Sequence, residues 1–226
     1  EMEFVSLSSG MCIAHRIHPE KPTDCFKPRR AMGPQLGFNG LEWLKEFPEL
    51  FRLKITGGSI KNFSGLENCP RLTELEIGLT DICDFSSLGE NKSIKELTVA
   101  GYYDNVLETV RNMAQLESFS FIYGMPDGTE KLKDLKGLKR LHLDKVQSIS
   151  DLTNILSLQN LTKLKVNMPQ GYSQEEIDHF LQSIKDYLPN LSWLELGMKK
   201  YEFHPTTLKG LQLRHFSVTG KTVVIA

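Results

Sequence analysis

The stretch Leu72-Thr-Glu-Leu75-Glu-Ile77 decides the fold, because its apolar residues at positions 1, 4 and 6 recur along the chain. The pattern appears eight times, at steps of 22, 22, 22, 22, 23, 30 and 22 residues. A nearly constant period between about 20 and 50 residues is the signature of a solenoid. The copies begin at Leu50, Leu72, Ile94, Leu116, Leu138, Leu161, Leu191 and Leu213.

Each copy has the alternation of a short β-strand. In a strand, the residues at positions 4 and 6 point to one face and those at positions 3 and 5 to the other. One repeat cannot bury its apolar face alone, so stacking the copies in parallel gives them a shared core. Eight strands at a spacing of about 4.8 Å predict a sheet roughly 35–40 Å across.

The segment between strands completes the repeat and carries a family resemblance. Residues 77–88, Ile-Gly-Leu-Thr-Asp-Ile-Cys-Asp-Phe-Ser-Ser-Leu, resemble the 22-residue class of leucine-rich repeats found in bacterial internalin-like proteins. The resemblance covers about residues 36–226 and implies an α/β fold. It implies a right-handed leucine-rich repeat solenoid with a concave parallel β-sheet of about eight strands and short convex 3₁₀ or α segments.

The chain departs from that family at position 9, where the family usually has an asparagine that bonds to the backbone inside the turn. Without it, the backbone groups of these turns need other partners. The residues found at position 9 are Gly58, Thr80, Tyr102, Gly124, Val146, Pro169, Lys199 and Lys221.

Residues 1–35 lie outside the repeat and are predicted to form an N-terminal capping segment for the solenoid of residues 36–226. Residues 4–7 and 11–17 have the character of two short strands around a turn that contains Gly10. The first repeat has no neighbour on one side, so a cap over its apolar face is expected.

Two convex segments have helical spacing. The first places Leu41, Leu44 and Phe47 on one side and stops at Pro48. The second occupies the 30-residue step and begins with a capping pattern, in which Ser173 is followed three residues later by Glu176. It predicts an α-helix of about 15 residues with an apolar side formed by Ile177, Phe180, Leu181, Ile184 and Leu188.

The register gives two outward ladders across the concave face, whose neighbouring members should lie about 5 Å apart. Arg52 with Glu74, Lys54 with Glu76 and Lys165 with Glu195 are then expected ion pairs, each worth at most about 1 kcal/mol. Position 3 reads Arg52, Glu74, Glu96, Ser118, Arg140, Lys163, Trp193 and His215. Position 5 reads Lys54, Glu76, Thr98, Ser120, His142, Lys165, Glu195 and Ser217.

Three residues of these ladders indicate a binding surface. Arg140 and Lys163 are neighbouring like charges that are not neutralised along their ladder, and an outward Trp193 follows them. Adjacent like charges cost stability, and tryptophan beside cations is typical of interface hot spots. The competing interpretation of this pair is a cation–π contact between Lys163 and Trp193 that involves no partner.

Apolar residues at positions 7 and 8 extend this surface, because clustered exposed apolar area often marks binding. Packing of these residues within loops is the competing interpretation. The predicted protein-binding residues are Arg140, His142, Lys163, Trp193, Tyr123 and Met168. The predicted partner is another protein that carries an acidic patch.

Composition narrows the class of partner and compartment. The chain has 27 Lys and Arg against 28 Asp and Glu, a net charge of −1, which disfavours nucleic-acid binding. The sequence contains no run of 18 apolar residues, so no membrane span is predicted. The start has no basic and apolar signal pattern, and the dispersed cysteines favour a reducing cytoplasm. The alternative is a secreted or surface protein from which a signal peptide has been removed.

The sequence also contains residues of the types used in metal sites and catalytic sites. Cys12, His15, His18 and Cys25 are residue types that bind zinc, but their spacing is unfamiliar, and a strand would place Cys12 and His15 on opposite faces. Serines near His142 on an open sheet lack oxyanion donors. No cofactor fingerprint is present, so no cofactor and no enzymatic activity are expected.

The sequence therefore predicts a non-catalytic protein-recognition module of the bacterial effector, adaptor or immunity type. The first alternative is a secreted or surface internalin-like recognition protein. The second alternative, from another class, is a metal-dependent enzyme that uses the N-terminal Cys and His residues.

Overall fold

A computed structural model describes most of the chain and places one long β-sheet at its centre. The described residues are 2–8, 11–17, 37–38, 40–78, 84–103, 106–124, 128–168, 172–198, 210–219 and 221–222.

Within these ranges, the strands are β1 (Met2–Ser8), β2 (Met11–Ile17), β3 (Gly37–Phe38), β4 (Leu50–Thr56), β5 (Ser59–Ile60), β6 (Glu74–Gly78), β7 (Glu96–Ala100), β8 (Ser118–Ile122), β9 (Arg140–Leu143), β10 (Lys163–Met168), β11 (Trp193–Met198), β12 (His215–Val218) and β13 (Lys221–Thr222). Eleven of these strands form the long sheet in the order β13-β12-β11-β10-β9-β8-β7-β6-β4-β1-β2, and β3 pairs with β5 in a separate two-stranded sheet. Nine strands of the long sheet run parallel, while β2 and β13 are antiparallel to their neighbours.

The repeated apolar positions form the core of the molecule, as predicted. Leu53 pairs with Leu75 on the next strand, and the same register continues to Leu194 beside Phe216. Of the residues at positions 1, 4 and 6 in the eight copies, all are buried except Leu213, which packs partly buried against the same core. Since each strand buries only one face, its other face is left for the outward ladders.

The outward ladders have the predicted register across all eight repeats. At position 3, Arg52 pairs with Glu74 and Lys163 pairs with Trp193. At position 5, His142 pairs with Lys165. The predicted neighbours along the concave face are therefore confirmed.

The convex side consists of short helical segments that return the chain to the next strand. Their buried residues, such as Leu44, Leu66 and Leu88, face the same core. Residues Glu42–Glu46, Leu66–Asn68, Thr129–Asp134 and Asn154–Ser157 are 3₁₀ helices. The α-helices are α1 (Ser86–Glu90), α2 (Val106–Val110), α3 (Ile149–Thr153) and α4 (Gln174–Tyr187).

Helix α4 confirms the prediction made for the 30-residue step. It has 14 residues, and the Ser173 hydroxyl accepts a hydrogen bond from the backbone N–H of Glu176 at 3.2 Å. In return, the backbone N–H of Ser173 donates to Glu176 Oε2 at 2.8 Å. This reciprocal pair satisfies two N–H groups that the helix itself leaves free. Its apolar side, Ile177, Phe180, Leu181 and Ile184, is buried.

The two strands predicted near the N-terminus are confirmed as the hairpin β1–β2, and β1 lies beside β4, parallel to it. The hairpin therefore occupies the edge of the sheet before the first repeat strand. We propose that this hairpin is part of the cap expected of residues 1–35.

Neighbouring strands supply part of the backbone bonding that the absent asparagines leave open. The N–H of Gly57 donates to the carbonyl oxygen of Gly78 at 2.7 Å, and that of Val146 donates to Asn167 at 3.0 Å. These bonds continue the strand-to-strand pairing past the strand ends.

None of the described helices is long and apolar enough to cross a membrane.

Candidate protein-binding site

A depression of about 300 Å³ lies on the concave face where strands β8 to β11 run side by side. Ladder side chains form nearly all of its lining, because these outward residues are the ones that the core does not take up. Three of the predicted binding residues meet here. The lining residues are Ser118, Ser120, Arg140, Leu141, His142, Lys163, Lys165 and Glu195.

Arg140 forms an ion pair that the sequence analysis did not predict. Its Nη2 lies 2.6 Å from Glu96 Oε1, on a strand two positions away in the sheet. The residue between them is Ser118, whose small side chain leaves the long arginine room to pass. The expectation that Arg140 is not neutralised along its ladder is therefore wrong. Both partners are about half exposed, so this pair contributes at most about 1 kcal/mol.

Lys163 and Lys165 share one carboxylate, that of Glu195. The Lys163 Nζ lies 3.9 Å from Glu195 Oε1, and the Lys165 Nζ lies 3.8 Å from Oε2. The expected Lys165–Glu195 pair is confirmed. Trp193 Nε1 donates a hydrogen bond to Glu195 Oε1 at 2.6 Å. Burial raises the pKa of Glu195, but the tryptophan N–H and the two lysines outweigh it, so the pKa is lowered and the group stays ionised.

Trp193 borders the depression and is held on both sides of its ring. The Lys163 Nζ lies 4.5 Å from the centre of the ring, and the imidazole of His215 stacks on it with ring centroids 3.8 Å apart and a 17° interplanar angle. The cation–π contact named as the competing interpretation is thus present. The side chain nevertheless keeps 37% of its surface exposed, which leaves part of the indole available for contact.

His142 is half-buried at the floor of the depression. Its Nε2 lies 3.1 Å from Asp144 Oδ1. Burial lowers the pKa of His142, the nearby Asp144 carboxylate opposes that shift, and Lys165 adds to it, with a lowered pKa as the net result. The lowered pKa favours the uncharged imidazole at neutral pH.

Tyr123 lies directly after β8, outside the depression. It is 64% exposed, has a left-handed backbone with φ of 69°, and its N–H donates to Asp144 Oδ2 at 3.3 Å. A second exposed tyrosine, Tyr102, follows β7, and the Lys145 Nζ lies 4.8 Å from the centre of its ring. Tyr102 was not among the predicted binding residues, although an aromatic residue at position 9, in place of asparagine, was the signal available in the sequence.

Met168 does not contribute to any surface, and its prediction as exposed apolar support is wrong. The side chain is fully buried. Strand β10 continues two residues beyond the repeated motif, and position 8 has the same parity as the buried positions 4 and 6. Met168 also pairs in register with Met198, which is buried for the same reason.

The metal hypothesis is not tested by the structure. Cys12 and His15 both belong to β2, while residues 18 and 25 lie outside the described residues. Among the residues whose side chains are described, no group of three His, Cys, Asp or Glu side chains is arranged to hold a metal ion. Cys69 is a buried thiol, and its Sγ donates to the carbonyl oxygens of Leu44 at 3.7 Å and Phe47 at 3.3 Å.

Comparison with known proteins supports the fold and leaves the ligand open. No protein-family model matches the sequence, and no curated protein matches it. Internalin C2 from Listeria monocytogenes has a similar structure, with a TM-score of 0.57 and 19% identity over 82% of this chain and 78% of that chain. The internalin InlF of the same species gives a TM-score of 0.52 and 20% identity over 82% and 58% of the two chains. This similarity confirms the leucine-rich repeat solenoid predicted from the 22-residue period.

Proposed function

We propose that the protein is a non-catalytic recognition module that binds an acidic region of another protein on its concave face. One observation carries the proposal. Three cations, Arg140, Lys163 and Lys165, line the depression. They face the carboxylate of Glu195 in the lining and that of Glu96 beside it, so one positive charge is in excess, and the partly exposed Trp193 stands at the border. Cations that face one concavity attract an anionic partner, and a partly exposed indole supplies apolar contact area.

The rigidity of the platform supports this role. The side chains of the site stand on consecutive strands that are fixed by the shared core. Binding would therefore require little ordering of the receptor, which is one of the main costs of association. The similarity of the fold to internalins agrees with a recognition module, and we propose a bacterial effector, adaptor or immunity-type protein.

The experiment compares two matched charge reversals on the same face. Arg140→Glu and Arg52→Glu both reverse an arginine that is paired with a glutamate on the concave sheet, but only Arg140 lines the depression. The protein and its variants are immobilised and used to capture binding proteins from extract of the native cell. We expect Arg140→Glu and Trp193→Ala to abolish capture of a specific protein, and Arg52→Glu to retain it. Equal capture by all variants with intact folds would refute this site.

We propose a cytoplasmic location from the dispersed cysteines, with a secreted or surface protein as the alternative. Thiol titration of the unfolded, non-reduced protein separates the two, since four free thiols favour the cytoplasm and disulfides favour secretion. The metal-dependent enzyme is separated by metal analysis. About one zinc per purified chain would favour the enzyme over a recognition module. A purified chain without zinc would exclude the metal-dependent enzyme.

A further inference from the structure

Two serine hydroxyls in the depression have no hydrogen-bond partner among the described residues. Ser118 and Ser120 stand at positions 3 and 5 of β8, and both are half-buried. Arg140 passes Ser118 to reach Glu96, with no hydrogen bond between the arginine and the serine. A serine hydroxyl offers one donor, so the strand presents two donors to whatever occupies the depression.

The cations around these hydroxyls also keep donors free. The Nζ atoms of Lys163 and Lys165 lie 3.9 and 3.8 Å from Glu195, which is longer than a hydrogen bond. Arg140 bonds to Glu96 through Nη2, and a guanidinium has five N–H groups. Three cations face two carboxylates, Glu195 in the lining and Glu96, which pairs with Arg140, so these five side chains keep a formal charge of +1.

This set of donors matches a phosphate monoester better than a carboxylate. A phosphorylated side chain carries about −1.5 to −2 charges and three strong acceptor oxygens. A carboxylate carries one charge and two oxygens, so it would leave part of the donor set unused. A depression of about 300 Å³ is at the small end of ligand pockets, which suits a single phosphorylated side chain rather than a nucleotide.

We propose that the depression binds the phosphate monoester of a phosphorylated side chain on the partner protein. The proposal rests on the function proposed above and specifies the chemistry of its ligand. Arg140, Lys163 and Lys165 provide the charge, Ser118 and Ser120 provide the hydroxyl donors, and the indole beyond Lys163 contacts the residue that carries the phosphate. Arginine and lysine clusters recognise phosphorylated motifs in the same way.

A protein is favoured over a nucleic acid or an anionic membrane by the rest of the concave face. Glu74 and Glu76 on β6 are paired with Arg52 and Lys54 of the neighbouring strand, and the whole chain has a net charge of −1. A polyanion that extended beyond the depression would therefore meet no excess of positive charge there. A single phosphate group does not need one.

The chain provides its own reporter for a direct test. It has two tryptophans, so Trp43→Phe leaves Trp193 as the only one. In this background, fluorescence is titrated with phenyl phosphate at constant ionic strength and pH 7.5, and with malonate as a dicarboxylate of equal charge. We expect saturable binding of phenyl phosphate in the millimolar range and at least tenfold weaker binding of malonate.

Two matched variants then test the hydroxyls. Ser118→Ala with Ser120→Ala should weaken phenyl phosphate binding about tenfold, whereas Thr98→Ala, a hydroxyl at position 5 of the neighbouring strand outside the lining, should leave it unchanged. Circular dichroism confirms that each variant is folded. The phosphate assignment is overturned by a linear, non-saturating response, by malonate that binds equally well, or by a serine variant that binds normally.

A final comparison separates this proposal from the proposed function. The capture experiment is repeated after the cell extract has been treated with a phosphatase. Capture that disappears supports phosphate recognition. Capture that persists, and is still lost with Arg140→Glu, overturns phosphate recognition while the acidic-partner site stands.

Discussion

The stacked pair of Trp193 and His215 offers the sharpest test of the site geometry. The two residues are register partners on β11 and β12, with ring centroids 3.8 Å apart. If this stack holds the indole in place, replacing either residue with alanine should lower the free energy of unfolding. Replacing both should cost less than the sum of the single effects, because the shared contact can be lost only once.

The magnitude follows from the contacts of each side chain. The aromatic pair is worth about 0.5–1.5 kcal/mol beyond area burial. Trp193 also has a cation–π contact with Lys163, worth about 0.5–1 kcal/mol at an exposed site. Its hydrogen bond to Glu195 adds about 0.5–1.5 kcal/mol. Trp193→Ala should therefore cost roughly 1.5–4 kcal/mol, and His215→Ala about 0.5–1.5 kcal/mol, from these terms.

The assay is a double-mutant cycle measured by guanidinium unfolding with far-ultraviolet circular dichroism. The coupling energy between Trp193 and His215 should be about 0.5–1.5 kcal/mol. A second cycle of Trp193→Ala with Thr98→Ala serves as the control, because Thr98 lies on β7, four strands from β11 in the sheet order. Distant sites are additive within about 0.5 kcal/mol.

A coupling energy near zero between Trp193 and His215 would refute the stacked arrangement. The indole would then be free to turn away from Lys163, and its use as a fixed contact at the border of the depression would fail with it. Equal coupling in the Thr98 control would instead show that the variants perturb the whole solenoid.

Three other outcomes follow from the structure. Met168→Ala should cost about 2–5 kcal/mol and Met168→Leu less than about 1.5 kcal/mol, and equal stability of both in thermal unfolding would mean that the side chain is not buried. Ser173→Ala should cost about 0.5–2 kcal/mol through loss of the helix cap and should speed amide exchange in the first turn of α4, whereas unchanged exchange would contradict the capping box. Burial lowers the pKa of His142, so the folded state binds its proton less tightly than the unfolded state. The resulting stability is complete above about pH 6.5 and falls as the pH drops, by at most about 1.4 kcal/mol per pH unit. His142→Gln should remove this part of the pH dependence between pH 7.5 and 5.5, and identical pH profiles would exclude it.

The parts of the fold that depend on local pattern could be predicted from the sequence. The spacing of Leu72, Leu75 and Ile77 set the strand direction, the buried face and the register of neighbouring strands. The cap of α4 was predictable because Ser173 and Glu176 stand at fixed helical positions. In each case the interaction is between residues whose separation the repeat or the helix determines.

The details of the site depend on the reach of individual side chains, which the pattern does not contain. The register places Arg140 beside Lys163, but the arginine turns the other way and crosses Ser118 to Glu96. Met168 was predicted to be exposed together with the other apolar residues at positions 7 and 8, but β10 runs two residues beyond the motif and buries it. Strand length and side-chain direction both depend on contacts with the neighbouring repeats.

The long helix α4 has a consequence for the geometry of the sheet between β10 and β11. An α-helix is about 10 Å wide, whereas neighbouring strands stand about 4.8 Å apart. Helix α4 follows β10 on the convex side, and β10 pairs with β11, so we expect its width to spread these two repeats apart on that side. Shortening the helix should then alter the separation of Lys163 and Trp193 on the opposite face of the sheet.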